Sequence, residues 1–280
     1  MILITGASGN VGQEVLKQIA QIGRPVRAAY QSSSKAAMAP AGVEIAIMDY
    51  NQVESVRAAL RGVDRVFLVG PVAPTLPELE RKATDEIKRS GVSHLVKLSA
   101  MGTREATFPR QHMESEDYIK ASGVAHTVLR PNGFMQNMAT YNGATIRDQS
   151  AFYGSQGDGK VSHVDIRDIA AVAVRVLTED THLGKVYTLT GPEALSNLRM
   201  AEILSASLGR AIKYVDLPPE QMKQALLAAG TPAWSANGML DLIHLYQTGG
   251  ASVVTGDVEQ ILGRKATSFE QFSRDYAGSF

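Results

Sequence analysis

The sequence predicts an α/β protein: a doubly wound parallel sheet with helices on both faces, followed by a smaller, mainly helical C-terminal region. Three observations predict it. Short apolar runs alternate with segments of helical period through the first 130 residues or so, the pattern of parallel strands joined by right-handed helical crossovers. Gly6, Gly9 and Gly12, spaced three apart, follow the first apolar run directly and open the first helical segment. Beyond about residue 190 the alternation lapses into helical patterns alone. A chain of 280 residues can hold one large domain or two smaller ones. The reading divides it into a core at 1–150 and a mixed region at 151–280, which completes the sheet at about 161–190 and forms a cap with the rest.

Taken in order, Ile2–Ile4 is the first strand, and Val11, Val15, Leu16 and Ile19 mark one face of the first helix. Gly23 and Pro25 break that helix, and Val26–Tyr30 is the second strand. Val43–Ile47 is the third, with Asp49 and Asn51 as candidate caps for a helix through Gln52, Val56, Ala59 and Leu60. Arg65–Val69 is stopped by Gly70-Pro71, and a helix follows from about Glu78 to Ser90, ended by Gly91. His94–Leu98 is the fifth strand, with Ser99 at its carboxyl end. A helix over about Gln111–Ser122 leads to a sixth strand at Ala125–Leu129, and Arg130–Phe134 leaves the sheet. Asp165 reads as the N-cap of a helix through Ala171, Val174 and Leu177, with Asp168 in its positive first turn. Lys185–Thr190 is one further strand. Helical patterns near 198–208, 219–229, 236–246 and 269–276 make the cap, and the glycine-rich pieces Tyr153–Gly159 and Gly249–Gly256 read as mobile loops.

Strand, glycine turn and helix in immediate succession suit a diphosphate. Gly6 allows a sharp reversal, Gly9 lets backbone approach a phosphate, and Gly12 lets the helix pack closely. The free N–H groups of the helix start favour negative charge, so Gly6, Ala7, Ser8, Gly9, Asn10 and Val11 are candidate dinucleotide contacts. The spacing is Gly-x-x-Gly-x-x-Gly and not the commoner Gly-x-Gly-x-x-Gly. An acidic residue about 20 positions on would accept from an adenosine ribose. No Asp or Glu lies between Glu14 and Glu44; Gln31, Ser32, Ser33, Ser34 and Lys35 stand there, with Arg27 in the strand. That set favours a 2′-phosphate, hence NADP(H), with NAD(H) as the alternative. In a doubly wound sheet Asp49 and Tyr50 lie beside the adenine, and the strand ends Gly70, Pro71, Ser99, Ala100, Pro131 and Asn132 flank the dinucleotide.

Composition narrows the partners. Twenty-eight basic residues balance 28 acidic ones, which argues against nucleic acid or an anionic membrane as partner. The absence of cysteine excludes disulfides and thiolate chemistry. No apolar run reaches the roughly 18 residues of a membrane span, and the first strand begins at residue 2, so a cytoplasmic protein with a small-molecule substrate is expected. The six histidines show no metal-ligand spacing, so no metal is expected, and Asn10 stands where a nucleophile elbow needs glycine.

Several segments carry a family resemblance. They are Thr5-Gly-Ala-Ser-Gly-Asn-Val-Gly12, Asp49-Tyr-Asn-Gln52, Val66-Phe-Leu-Val-Gly-Pro71, His112-x-x-x-Glu116, Thr127-Val-Leu-Arg-Pro131 and Val164-Asp-Ile-Arg-Asp-Ile-Ala170. Together they resemble the atypical short-chain dehydrogenase/reductase family in its NmrA-like branch, with patterns like those of triphenylmethane reductases and type-two NAD(P)H quinone oxidoreductases. The resemblance implies a Rossmann-type fold and hydride transfer to a planar acceptor such as a quinone. The Tyr-x-x-x-Lys pair of the better-known branch is missing: none of the nine tyrosines has a lysine four residues later, and Tyr118 is followed by Ser122. His112, at a position where isoflavone-reductase-like relatives hold a lysine, is the candidate donor toward charge developing on the acceptor, and Glu116 one turn on is a candidate to orient it. Phe134, Met135 and Met138 offer apolar surface to a planar substrate. The alternative is a dinucleotide-sensing regulator with a protein partner and no turnover, as for the family's namesake; a homodimer fits either reading.

Overall fold

The computed structural model describes residues 1–37 and 39–280. The first half of the chain runs β1 (Ile2–Ile4), α1 (Asn10–Gln21), β2 (Val26–Tyr30), α2 (Ser33–Ala36), β3 (Glu44–Ile47), α3 (Val53–Ala59), β4 (Arg65–Leu68), α4 (Leu76–Ser90), β5 (His94–Leu98), α5 (Thr107–Ser122) and β6 (His126–Pro131). It continues with α6 (Gln136–Gln149), β7 (Ala151–Gly154), β8 (Lys160–Val161), α7 (Ile166–Thr178) and β9 (Val186–Leu189). The remainder is β10 (Leu195–Ser196), α8 (Asn197–Leu208), β11 (Lys213–Asp216), α9 (Pro219–Ala228), α10 (Ala233–Gln247), α11 (Asp257–Leu262) and α12 (Phe269–Asp275).

Seven strands form one sheet in the order β3-β2-β1-β4-β5-β6-β9. Neighbours from β3 to β6 pair in parallel. The bonds from Val128 N–H to the Lys185 carbonyl and from Asn132 N–H to the Leu189 carbonyl advance together, so β9 joins in the same sense. The direction of winding reverses between β1 and β4, and parallel sheets bind ligands outside the carboxyl ends at such a point. Thr5 stitches these two strands there: its hydroxyl donates to the Phe67 carbonyl at 3.1 Å and accepts from the Val69 amide at 2.7 Å. A doubly wound fold is thereby borne out.

The chain packs as two compact units, Met1–Ala100 with Gln111–Arg130 and Ile166–Thr188, and Met101–Arg110 with Pro131–Asp165 and Leu189–Phe280. Segments of the two units alternate along the sequence, and residue 150 falls in the second. In the first, Val56, Ala59 and Leu60 of the α3 segment, Ala83 and Ile87 of α4, and Ile119 of α5 cover one sheet face at Leu3, Val66, Leu68 and Leu95. Helices α1 and α7 pack on each other, and the Gln18 amide donates to the Arg167 carbonyl at 3.0 Å. In the second unit, α6, α8, α12 and β7 enclose Met135, Met138, Ile146, Phe152, Leu204, Phe269 and Phe272.

Several local readings need correction. Helix α5 begins at Thr107, four residues early, because the Thr107 amide and hydroxyl both donate to the Asp241 carboxylate and Pro109 is tolerated in a first turn. Asp49 does not cap α3; its carboxylate accepts from the Asn51 amide at 2.9 Å and closes a tight turn before the helix. Helix α6 went unread because its sequence carries no clear apolar stripe. Its Gly143 is needed for packing, since a Cβ there would lie 2.6 Å from the Ser279 carbonyl oxygen. The two glycine-rich pieces are not free loops. Tyr153 and Gly154 belong to β7, paired with β11, while Ala251 and Val253 accept hydrogen bonds from the Ser162 hydroxyl.

Candidate functional site

The glycine turn is built as its sequence implies. Gly6 has φ +61°, which only glycine adopts without strain, and a Cβ there would press on Val69. A Cβ on Gly12 would collide with the Gly6 carbonyl oxygen, so α1 approaches the turn itself closely. The Gly9 amide donates to that same carbonyl at 2.9 Å. Gly9 is the N-cap of α1 in extended conformation and, lacking a side chain, leaves the first-turn N–H groups without a side-chain acceptor; no acidic residue occupies that turn. Ser8, Gly9 and Asn10 reach the surface, while Ala7 and Val11 are buried beneath them. The Gln13 amide donates to the Ser8 carbonyl at 2.9 Å and braces the turn. An anionic diphosphate fits this cradle on both shape and charge.

At the carboxyl end of β2, the Ser32 hydroxyl caps α2 by accepting from the Lys35 amide, and Lys35 Nζ reaches Gln31 Oε1 at 3.4 Å. Gln31 and Lys35 are exposed and open to a ligand. Arg27 is not: it pairs with Glu44 at 2.7 Å and donates to the Ala59 and Arg61 carbonyls. The phosphate-binding set is therefore smaller than the sequence alone implied. Tyr50 donates to the Val69 carbonyl at 2.8 Å, and burial pushes its phenol well above its usual range. Gly70 and Pro71 follow β4, and a Cβ on Gly70 would collide with the Glu80 carboxylate.

Behind this edge lies a polar cluster that sequence reasoning missed. Lys97 and Ser99 share one face of the β5 segment, and His112, Ser115 and Glu116 share one face of α5. Lys97 and Glu80 form an ion pair at 2.7 Å with both side chains 0% exposed. Lys97 Nζ also donates to the Leu98 carbonyl and lies 3.1 Å from His112 Nδ1. The Ser115 hydroxyl donates to the other Glu80 oxygen. Burial first, and the Lys97 ammonium second, hold the His112 pKa well below its ordinary value. The detectable signal was Lys97 itself, a lone charge in the otherwise apolar strand core Leu95-Val96-Lys97-Leu98, where parallel strands read as continuous apolar runs.

Glu116 does not orient His112. It accepts from the Ser99 hydroxyl and forms a two-pronged pair with Arg130, whose Nε lies 3.0 and 3.1 Å from its two oxygens. Asn132 is engaged by protein as well: its amide donates to the Ser162 hydroxyl and the Ala251 carbonyl, both at 2.8 Å, and its oxygen accepts from the Gly133 amide. Pro131 is buried and Ala100 half-buried. Met135 and Met138 are 2% and 7% exposed within the second unit's core, so their surface is used in packing and not offered to a substrate. Phe134 is half-buried and bridges to Val164. Beside it, Gly133 packs against His163 and Tyr246. His163 Nδ1 is buried without a partner; burial lowers its pKa to about 4 and pushes Tyr246 up to about 12. Tyr118 is turned away to Asp85, donating at 2.7 Å.

Comparison with known proteins agrees with this geometry. The profile of the NAD(P)H-binding family matches residues 6–180. The chain is 36% identical to the NAD(P)H azoreductase of Xenophilus azovorans, covering 100% of this chain and 99% of that one. It is 37% identical, over the same shares, to the (4-alkanoyl-5-oxo-2,5-dihydrofuran-3-yl)methyl phosphate reductase of Streptomyces griseus. Among solved structures, the NADPH-dependent quinone oxidoreductase of Escherichia coli in complex with NADPH superposes with a TM-score of 0.89 at 26% identity, covering 99% of this chain and 100% of that one. The alternation of strand and helix, the glycine cradle and these likenesses converge: the chain belongs to the NAD(P)H-binding family, with the atypical short-chain reductase character its motifs resemble, and is an NAD(P)H-dependent reductase.

Proposed function

We propose that the protein passes hydride directly to a planar, electron-poor acceptor, with a quinone as the representative class. The observation that carries this reading is the uncapped glycine cradle on a sheet edge where the best-placed tyrosine, Tyr118, is engaged by Asp85 and has no lysine partner. Such an edge suits an acceptor that takes hydride without a tyrosine relay. The relatives' substrates support it: an azo compound, an unsaturated oxo-dihydrofuran and a quinone are all conjugated and electron-poor.

The first-turn amides of Asn10 and Val11 would hold the diphosphate, with Gly6, Ala7, Ser8 and Gly9 shaping the turn around it, and Gln31, Ser32 and Lys35 would hold the adenosine 2′-phosphate, which favours NADP(H) over NAD(H). Asp49 and Tyr50 would flank the adenine, and Gly70, Pro71, Ser99, Ala100 and Pro131 would border the rest. When bound, the reduced nicotinamide supplies the hydride. The chain's own share is to fix ring orientation, exclude water and place a hydrogen-bond donor where negative charge develops. His112 is that donor, and Phe134 is the acceptor contact. The reaction is expected in the cytoplasm; among the described residues no helix is long and apolar enough to cross a membrane.

The test is oxidation of NADPH by a panel of quinones, azo dyes and cationic dyes, followed by loss of the reduced-nicotinamide absorbance. Turnover of at least one class that drops in His112→Ala supports the reading. No oxidation above background with any acceptor overturns it.

A further inference from the structure

Lys97 carries an ammonium with three hydrogens and no lone pair. Three acceptors surround it: Glu80 Oε1, the Leu98 carbonyl and His112 Nδ1. Because the ammonium can only donate, Nδ1 must be the bare nitrogen of the imidazole, and the single proton of the neutral ring then sits on Nε2. A second proton would set a cation beside the first, and the carboxylate that Lys97 pairs with among the described residues, Glu80, is already matched to it. Glu80 cannot turn away, since Ser115 holds its other oxygen and Gly70 packs against its carboxylate with no room for a Cβ. The charge set against this ring is Lys97 from β5, itself paired with Glu80 from α4; Glu116, on the same helix as His112, is paired with Arg130. His112 is half-buried and, among the described residues, its Nε2 makes no hydrogen bond to protein, which leaves Nε2–H open to a ligand.

We infer that Lys97 and Glu80 are positioning residues that lock His112 as the neutral Nε2–H tautomer, making it a hydrogen-bond donor and never a base. The inference rests on the proposed reductase reading and specifies how its donor works. The reduced nicotinamide, when bound, would supply a proton and two electrons together as hydride, and these reduce the acceptor. The charge that develops on the acceptor's oxygen or nitrogen accepts a hydrogen bond from His112 Nε2–H, which keeps its proton. The product anion takes its proton from water. A neutral imidazole suits this role because it polarises the acceptor without a charge that would have to be desolvated.

The experiment is 15N NMR of the full chain with labelled histidine, the His112 signals being assigned by their loss in His112→Gln. The expected wild-type result is a protonated Nε2, a bare Nδ1, and no titration near the ordinary value of about 6.5. A protonated Nδ1, or titration near that value, overturns the inference. The variant Lys97→Met with Glu80→Gln removes both charges at similar volume. In it His112 is expected to populate both tautomers, to titrate toward its ordinary value, and to lower kcat while NADPH binding by calorimetry stays unchanged. An unaltered tautomer in that variant also overturns the inference. If the variant does not fold, the wild-type spectrum decides alone. Should the tautomer be as expected while His112→Gln reduces every acceptor at the wild-type rate, the donor role under the proposed function fails and the positioning of the ring stands.

Discussion

Two regions at the carboxyl edge of the first unit reach opposite solutions to handling charge. The glycine turn works by lacking side chains: Gly6, Gly9 and Gly12 clear space, and the start of α1 keeps its N–H groups for an anion. The Lys97–Glu80–Ser115 cluster works by giving each buried charge a partner away from water, with His112 at its margin. An unsatisfied N–H at a surface is cheap because water serves it until a ligand arrives. An unsatisfied charge in the interior is expensive, so the cluster has to be complete or absent. Under the proposed function, binding strength belongs to the turn and chemical definition to the cluster.

The largest effect expected from breaking this contrast is on stability. Lys97→Ala strands the Glu80 carboxylate with no cation in the interior and should cost about 3–5 kcal/mol. Urea denaturation measures it, and a loss under 1 kcal/mol would mean that water reaches the pair. Acid should act on buried histidine and spare the turn, which holds no titratable group. His94 and His163 have pKa values lowered to about 4 by burial, in the first and second unit respectively. Unfolding restores values of about 6.5, so the unfolded chain binds more protons between those limits. Stability is then full above pH of about 6.5 and is lost as pH falls toward 4, by roughly 3 kcal/mol per histidine. Denaturation midpoints at neutral and acid pH should diverge, and His94→Gln should reduce the divergence; parallel curves would contradict it.

Ligand affinity probes the other side. Gly12→Ala forces α1 away from the Gly6 carbonyl and should weaken NADPH about 100-fold by calorimetry, the scale of a lost hydrogen bond to a charged phosphate. Unchanged affinity would show that the close approach is not what forms the cradle. The smallest expected effect is coenzyme preference. Lys35→Glu should weaken NADPH about tenfold while sparing NADH, the scale of one charged hydrogen bond at an exposed site. Equal losses for both coenzymes would remove Lys35 from phosphate recognition.

How legible these regions were in the sequence follows from their physics. The turn was readable residue by residue, because strand, glycines and helix are contiguous and each glycine answers a local backbone demand. Helix α1 was readable from its stripe of Val11, Val15, Leu16 and Ile19, all buried as expected. His112 was found by resemblance, but its partner was misassigned: Glu116 is one turn away in sequence, yet Ser99 and Arg130 claim it from neighbouring strands. Met135 and Met138 were offered to a substrate because they leave the sheet near its edge. Helices α8 and α12, which arrive much later in the chain, pack with them in the second unit's core. Arg27 was counted toward a phosphate for the same reason, and Glu44 on the adjacent strand takes it instead.

By itself the sequence determined the doubly wound sheet, the glycine turn that opens the first helix and the absence of thiol chemistry, since apolar period, glycine spacing and composition act over a few neighbouring residues. Tertiary structure alone decided which charges meet: Lys97 joins Glu80 across 17 positions, Arg130 reaches Glu116 across 14, and Asn132 closes on Ala251 across 119. The reason is the cost of burying a charge or amide without a partner. It obliges each of these groups to find one, and only the packing of strand against helix determines where that partner stands.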